Sequence, residues 1–330
     1  KIEILAAFLK KIKKGNYETI YLVQGKVFPD YAEEELGISE KLCIKALAKA
    51  SGVLPETIIQ SWKKLGDLGT VAEKIIEKKK QNTLFSHKLK TEKVLENLRK
   101  LPWLEGKGTI EKKLALIAEL LTSASEKEAK YIIRTLMGDL RIGVASGTIR
   151  DALVTACLTE EERADTEKKK AFTEAMQGAY DKTNDFSILF EKGLKGIEEL
   201  KKVTLNPGRP LKLMLALKAT SIGDGFKRVG KPAAFEYKYD GFRMLINKNE
   251  KGEIHIFTRR LDNVTKQFPE VVAYVKDHIK AHTFIIDSEA VGYDPHTKKY
   301  MPFEAVSQRI KRKHDIPRLI KELPIEINVF

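Results

Sequence analysis

Lys238 stands in the run AAFEYKYDGFRMLINK (233–248), where apolar and aromatic residues alternate with polar ones on both sides of it. That is the period-two pattern of a half-buried β-strand. A lysine beside an apolar layer loses solvation, which favours its neutral form. A nearby cation such as Arg243 pushes the same way, and a neutral amine is a nucleophile. Gly241 interrupts the strand where a ligand or another backbone could approach closely. Lys-x-Asp-Gly is a short pattern, and by itself it describes an exposed strand lysine before a bend equally well. Further charges follow in order. Arg259 and Arg260 end a second strand-like run, Glu289 sits in IIDSEAV, and Arg309 to Lys313 form a basic helical stretch. A carboxylate on a buried-looking strand needs a partner. Taken singly, each reads as a strand-end or surface charge; their joint order is harder to dismiss.

Two kinds of element must position these groups. From residue 1 to about 200 apolar residues recur at three- and four-residue spacing, as in EKLCIKALAKASGV, TVAEKIIEKKK, EKKLALIAELLTSA and GTIRDALVTACL. This predicts an all-helical region. Ser39 and Ser125, each followed by glutamate, mark helix starts, while Gly52, Gly138 and Gly143 mark stops or turns. A faint repeat relates WKKLGDLGTVAEK (62–74) to YDKTNDFSILFEK (180–192): an aromatic, then Asp67 or Asp185, then Glu-Lys at one offset. Two halves of a helical array would give such a match, although two copies also arise by chance. KVTLNPGRPLK (202–212) breaks the helical pattern. Beyond it come a hairpin around Asn249 to Gly252, a helix FPEVVAYVKDHI, a strand TFIIDSEAVGYD, the helix PFEAVSQRIKRKH and a last strand IEINVF.

The chain has 330 residues, a formal net charge of +14 and 42% hydrophobic residues, which suits two domains and a polyanionic partner, nucleic acid first. No apolar run approaches the ~20 residues of a spanning helix, so no membrane association is expected. KIEILAAFLKKIKKGN reads as an amphipathic helix rather than a signal peptide. Cys43 and Cys157 lack a CxxC neighbour and read as buried reduced thiols, consistent with a cytoplasmic location (nuclear in a eukaryote). Basic residues cluster at Lys10, Lys11, Lys13 and Lys14, at Lys78 to Lys80, at His87, Lys88 and Lys90, and at Lys168 to Lys170. The glycine-containing link Arg141–Thr148 would let backbone N–H groups and a helix start meet phosphates. With no base-reading helix evident, sequence-independent backbone binding is expected. Gly223-Asp224-Gly225 lacks the third glycine of a dinucleotide loop, His278 and His282 lack the glutamate of a zinc protease motif, and no GxxxxGK loop occurs.

In this order and spacing, KYDGFR, TRRLDNVTKQFPE, IIDSEAVG and PFEAVSQRIKRKH, together with RIGVASGTIRDAL and GRPLKLMLA, closely resemble the ATP-dependent DNA ligases of archaeal and eukaryotic replicative type. The resemblance covers essentially the whole chain, with Leu213 where a proline is common. It implies an all-α DNA-binding domain over 1–205, followed over 206–330 by the N-terminal portion of an α+β adenylation (nucleotidyltransferase) domain with antiparallel sheets. It further implies that Lys238 is covalently adenylated by ATP, with Mg²⁺ or another divalent cation, and passes AMP to a 5′-phosphate at a nick. The 3′-OH then displaces AMP. By the same resemblance Glu236 lies by the adenine, Arg243 and Arg259 near the ribose and phosphates, and Glu289 at the ribose. Phe330 would stack on adenine, and Asp240 would be a positioning residue. The expected partner is nicked double-stranded DNA; a sliding clamp is a further candidate, and the protein is expected to be a monomer. The family continues past the strand ending in Phe330 with a metal-binding glutamate, phosphate-binding lysines and an OB-fold. The chain is therefore expected to be a fragment unable to complete ligation alone, with its metal-binding residues unknown. Two alternatives stay open: another lysine nucleotidyltransferase, such as an RNA ligase or capping enzyme, and a non-enzymatic nucleic-acid-binding protein. An NAD-dependent ligase is disfavoured by the missing zinc-site cysteines.

Overall fold

Short polar side chains that take up a helix's first N–H groups punctuate the first two hundred residues. Ser39 accepts from Leu42 N at 3.3 Å, and Ser125 forms a reciprocal capping box with Glu128. The computed structural model describes residues 1–330 except 33, 79–87, 212–216, 239, 295 and 313. Lys79, Lys80, His87, Leu213 and Lys313 therefore lie outside the described residues. The chain divides into two compact units, Lys1–Tyr180 with Asp185–Lys202, and Asp181–Asn184 with Val203–Phe330.

Along the first two hundred residues run α1 (Ile2–Leu9), a 3₁₀ helix (Tyr17–Gln24), α2 (Glu40–Ser51), α3 (Pro55–Leu65), α4 (Leu68–Glu77), α5 (Thr91–Lys100) and α6 (Thr109–Ser123). They continue with α7 (Glu126–Leu136), α8 (Ser146–Cys157), α9 (Glu160–Ala164), α10 (Thr166–Thr183), α11 (Phe186–Gly193) and α12 (Ile197–Lys201). The core of the first unit gathers Cys43, Leu47, Ile58, Leu98, Ile117 and Ile133, all fully or nearly fully buried. The repeat seen in the sequence has a physical basis. In both copies a left-handed residue, Gly66 (φ 69°) or Asn184 (φ 50°), precedes an aspartate that caps the next helix. Asp67 accepts from Gly69 N and Thr70 N, and Asp185 from Ser187 N and Ile188 N. Each aspartate also anchors distant segments: Arg134 reaches Asp67 at 2.6 Å, and the Tyr21 and Tyr31 hydroxyls each reach Asp185 at 2.7 Å.

The second unit contains α13 (Ile222–Val229), β1 (Phe242–Lys248), β2 (Ile254–Thr258), α14 (Pro269–His278), β3 (Phe284–Asp294), β4 (Lys299–Met301), α15 (Phe303–Lys311), α16 (Ile316–Glu322) and β5 (Ile325–Val329). The sheet is antiparallel, in the order β2-β1-β3-β4, with β5 also pairing with β3. Asn249 closes the β1–β2 hairpin by accepting from Lys251 N and Glu253 N. One face carries the core: Phe242, Met244 and Ile246 of β1, Ile254 and Ile256 of β2, and Ala290 of β3, packed with Phe268, Val271 and Val306 from the helical segments. Because strand side chains alternate, Arg243, Asp287 and Glu289 project from the opposite face. The expected strands and helices after residue 242 are present. The strand expected from Ala233 is not: it begins only at Phe242, and residues 233–238 form no ladder.

The basic stretch on α15 also needs correction. Phe303, Val306 and Arg309 recur at helical spacing, so Arg309 falls on the apolar stripe and is 1% exposed. Its guanidinium pairs with Glu270, donates to Leu323 O (3.0 Å) and Gln267 O (3.2 Å), and lies 4.6 Å over the Phe268 ring. Arg309 is an internal tie rather than part of a basic surface. Lys311 and Arg312 remain exposed.

Candidate active site

Gly241 and the register of β1 against β3 build the site. Arg243 lies directly opposite Glu289, and on the other side of β3 Glu289 lies opposite Asn328 of β5. Directly paired residues share a face, with Cβ atoms about 4.5–5.5 Å apart, so these three form a row. Asp287, one step along the same face of β3, accepts from Arg243 Nε at 2.7 Å and from Nη2. This two-pronged bond fixes the guanidinium plane. Phe330 continues β5 by donating its N–H to Asp287 O at 3.1 Å, and strand alternation sets its side chain on the same face.

Gly241 is where two backbones meet. A Cβ there would lie 2.2 Å from Ala290 O and 3.1 Å from Glu289 Cγ. The close approach foreseen at this glycine is therefore that of β3. It also brings the Gly241 backbone beside the Glu289 side chain. Half-burial pushes the Glu289 carboxyl above the usual range; the charges of Arg243 and Lys238 and the Gly241 N–H pull it partly back. The Asp287 hydrogen bond holds the Arg243 guanidinium above its ordinary value, with Glu289 and Glu236 adding to it.

Of the residues singled out in the sequence, Arg243, Glu289 and Phe330 share one face of the sheet. Lys238 and Glu236 lie on the extended segment leading into β1 and are both exposed. They reach this group through their charges, Lys238 acting on Glu289 and Glu236 on Arg243. The expectation that Lys238 sits within a strand beside an apolar layer is not met, because residues 233–238 pair with no strand among the described residues. Arg259 is exposed in the turn after β2. Among the described residues no hydrogen bond or ion pair joins it to Arg243, Asp287 or Glu289. Asp240 Oδ2 lies 3.5 Å from Phe303 N at the start of α15, a long contact but one aimed at a helix N-terminus. Sequence reasoning missed Asp287 and Asn328. The signal for Asp287 was available, since Asp-Ser-Glu puts two carboxylates on one strand face. Asn328 could be placed only by pairing β5 with β3.

Chemically, the sheet face offers a fixed guanidinium suited to oxyanions and a half-buried carboxylate able to accept from hydroxyl groups, with the exposed Lys238 amine five residues before Arg243 in the chain. Among the described residues no group of three or more His, Cys, Asp or Glu side chains could hold a metal ion, and Asp287 is engaged by Arg243. The residues described do not make a metal cage.

In the first unit, the link Arg141–Thr148 leads into α8, whose N-cap residue, Ala145, supplies no side-chain cap. Gly143 has φ 61°, and its carbonyl accepts from Lys1 Nζ at 3.0 Å. A side chain at Gly147 would meet open space. The first N–H groups of α8 are thus left without a capping side chain.

A helical region followed by an antiparallel sheet is the layout expected from the motifs, and comparison with known proteins agrees. Residues 1–154 match the family model described as DNA ligase N terminus, and residues 213–330 match the ATP dependent DNA ligase domain. The chain belongs to the ATP-dependent DNA ligase family. It is 42% identical over its whole length to a DNA ligase of Nanoarchaeum equitans, covering 56% of that protein. It is 38% identical, again over its whole length, to a DNA ligase of Thermococcus fumicolans, covering 57% of it, and 34% identical to one of Ignicoccus hospitalis, covering 55%. The chain thus spans about half the length of the curated relatives it matches.

Proposed function

We propose that this chain supplies the DNA-binding and nucleotide-accepting parts of an ATP-dependent DNA ligase, with Lys238 as the residue that carries AMP. The observation that carries this reading is the cross-strand pairing of Arg243 with Glu289 beside the Gly241 approach of β1 to β3, three residues after Lys238. Lys238 Nζ, having given up a proton, forms a P–N bond to the α-phosphorus of ATP while the bond to pyrophosphate breaks. An oxygen of the 5′-phosphate at a nick then displaces the lysine, and the 3′-OH finally displaces AMP to close the strand. Arg243, held in plane by Asp287, is suited to phosphate oxygens. Glu289 is placed to accept from a ribose hydroxyl, and Glu236 and Phe330 to border the base. Arg259, standing apart in its turn, reaches the phosphates only if the turn moves. The two domains we assign are 1–205 and 206–330. The net charge of +14 and the uncapped start of α8 support sequence-independent contacts to DNA phosphates in the first of them.

The test is intact mass after incubation with ATP and Mg²⁺. We expect one AMP to be added to the chain and none to Lys238→Ala. An adduct that persists in the variant would remove Lys238 from its role; no adduct on the parent chain would count against the nucleotide-accepting reading itself.

A further inference from the structure

In the row across β1, β3 and β5, Arg243 is bonded to Asp287, whereas Asn328 has a donor to spare. The side-chain nitrogen of Asn328 is buried and has no hydrogen-bond partner among the described residues. A buried unsatisfied donor is costly, about 1–3 kcal/mol, and is rarely kept without a purpose. Asn328 directly opposes Glu289, whereas the preceding residue, Ile327, packs on the core face. The amide therefore shares the face that carries Arg243 and Glu289.

The choice of acceptor is narrow. Asp287 is diagonal to Asn328, and both its oxygens are bonded to Arg243. Glu326, two residues back on β5, is exposed and can be served by water. Glu289 is directly across and half-buried, with the Gly241 backbone close on its other side. It combines cross-strand reach with unused acceptor capacity.

We propose that Asn328 is a positioning residue for Glu289: in the nucleotide-bound chain its side-chain amide donates to the carboxylate and fixes its orientation toward the ribose. With the Gly241 backbone packed on one side and Asn328 bonded on the other, the carboxylate is held between β1 and β5. It then presents its free lone pairs to a hydroxyl donor. A shift of the Asn328 and Glu289 side-chain rotamers makes the bond, with no change in strand register. The inference rests on the nucleotide-binding reading of the site.

The test is the affinity of the 330-residue chain for ATP, measured by titration calorimetry in a double-mutant cycle. Asn328→Leu keeps the side-chain volume and removes the donor; it should weaken binding roughly tenfold, the size of one hydrogen bond to a charged group. Asn328→Thr keeps a donor on a residue suited to strands and should stay within about threefold of the parent. In a Glu289→Ala background, which has no acceptor, Asn328→Leu should add less than about twofold, because residues acting through one bond are not additive. A full further loss in that background, or an Asn328→Leu chain that binds like the parent, would overturn the proposal. A purely structural asparagine would lower the melting temperature equally in both backgrounds without this coupling. Should the parent chain bind no ATP, the underlying reading of the site falls first, and this inference falls with it.

Discussion

At Gly241 the space for a side chain is already occupied by the carbonyl of Ala290, 2.2 Å from where a Cβ would stand. The obstacle is backbone in a paired strand, so relief requires β1 to part from β3. Gly241→Ala should destabilise the second unit by about 3 kcal/mol, the upper part of the range for overpacking. It should also abolish the AMP adduct, although no reactive group has been removed; urea unfolding and intact mass would read the two effects. Glu289 gives a pH-dependent signature. Its folded pKa is raised by burial, so the folded chain holds this proton more tightly than the unfolded one. Its contribution to stability is therefore present below the ordinary carboxylate value and lost as pH rises through the raised one. Glu289→Gln should consequently melt higher than the parent at neutral pH, by a degree or so, with the gap closing below about pH 4. A gap that widens on acidification would show that the carboxylate is stabilised by its neighbours instead.

Element by element, the helices are held by paired charges as well as by apolar stripes. Burial pushes the Asp67 carboxyl up, but the hydrogen bonds from Arg134, Thr70 and Gly69 outweigh it and hold it well below the usual carboxylate range. One aspartate thus caps α4 and ties it to α7. In the second unit Arg309 does the corresponding work, joining α15 to α14 and to Leu323 at the end of α16. Removing one partner of a buried pair leaves the other charge stranded. Arg309→Ala should cost about 3–5 kcal/mol in urea unfolding. A change below about 1 kcal/mol would return Arg309 to the role of a surface cation. Arg309→Lys should not rescue the loss, since an ammonium cannot hold the geometry that the planar guanidinium gives to Glu270 and two carbonyls.

For the molecule as a whole, charge sets the terms of association. A chain of net charge +14 that contacts phosphates without reading bases releases counterions on binding. Its affinity for a nicked duplex should therefore fall about a thousandfold between 50 and 200 mM salt if some six phosphates are engaged. It should fall alike for unrelated sequences. Filter binding over that range, with two duplexes of different sequence, would check both points. A flat salt response would mean that the basic runs are only a solvated face. No described helix is long and apolar enough to cross a membrane.

The sequence alone determined the elements whose signals are local. Helix spacing, the serine caps, the Asp67 and Asp185 repeat, the Asn249 hairpin turn and the β3 alternation are all encoded within a few residues, so they could be read directly. It also carried the order of motifs that marks the family. Three things depended on tertiary structure. Lys238 sits in a segment with strand-like alternation, but alternation supplies only one face and a strand also needs a neighbour to bond; residues 233–238 have none among the described residues. Arg309 is a charge by residue type, yet its place on the apolar stripe of α15 buried it against Glu270. Asp287 and Asn328 became part of the site only when β1 and β5 were laid on either side of β3. Cross-strand register is a long-range property, and no window of local sequence contains it.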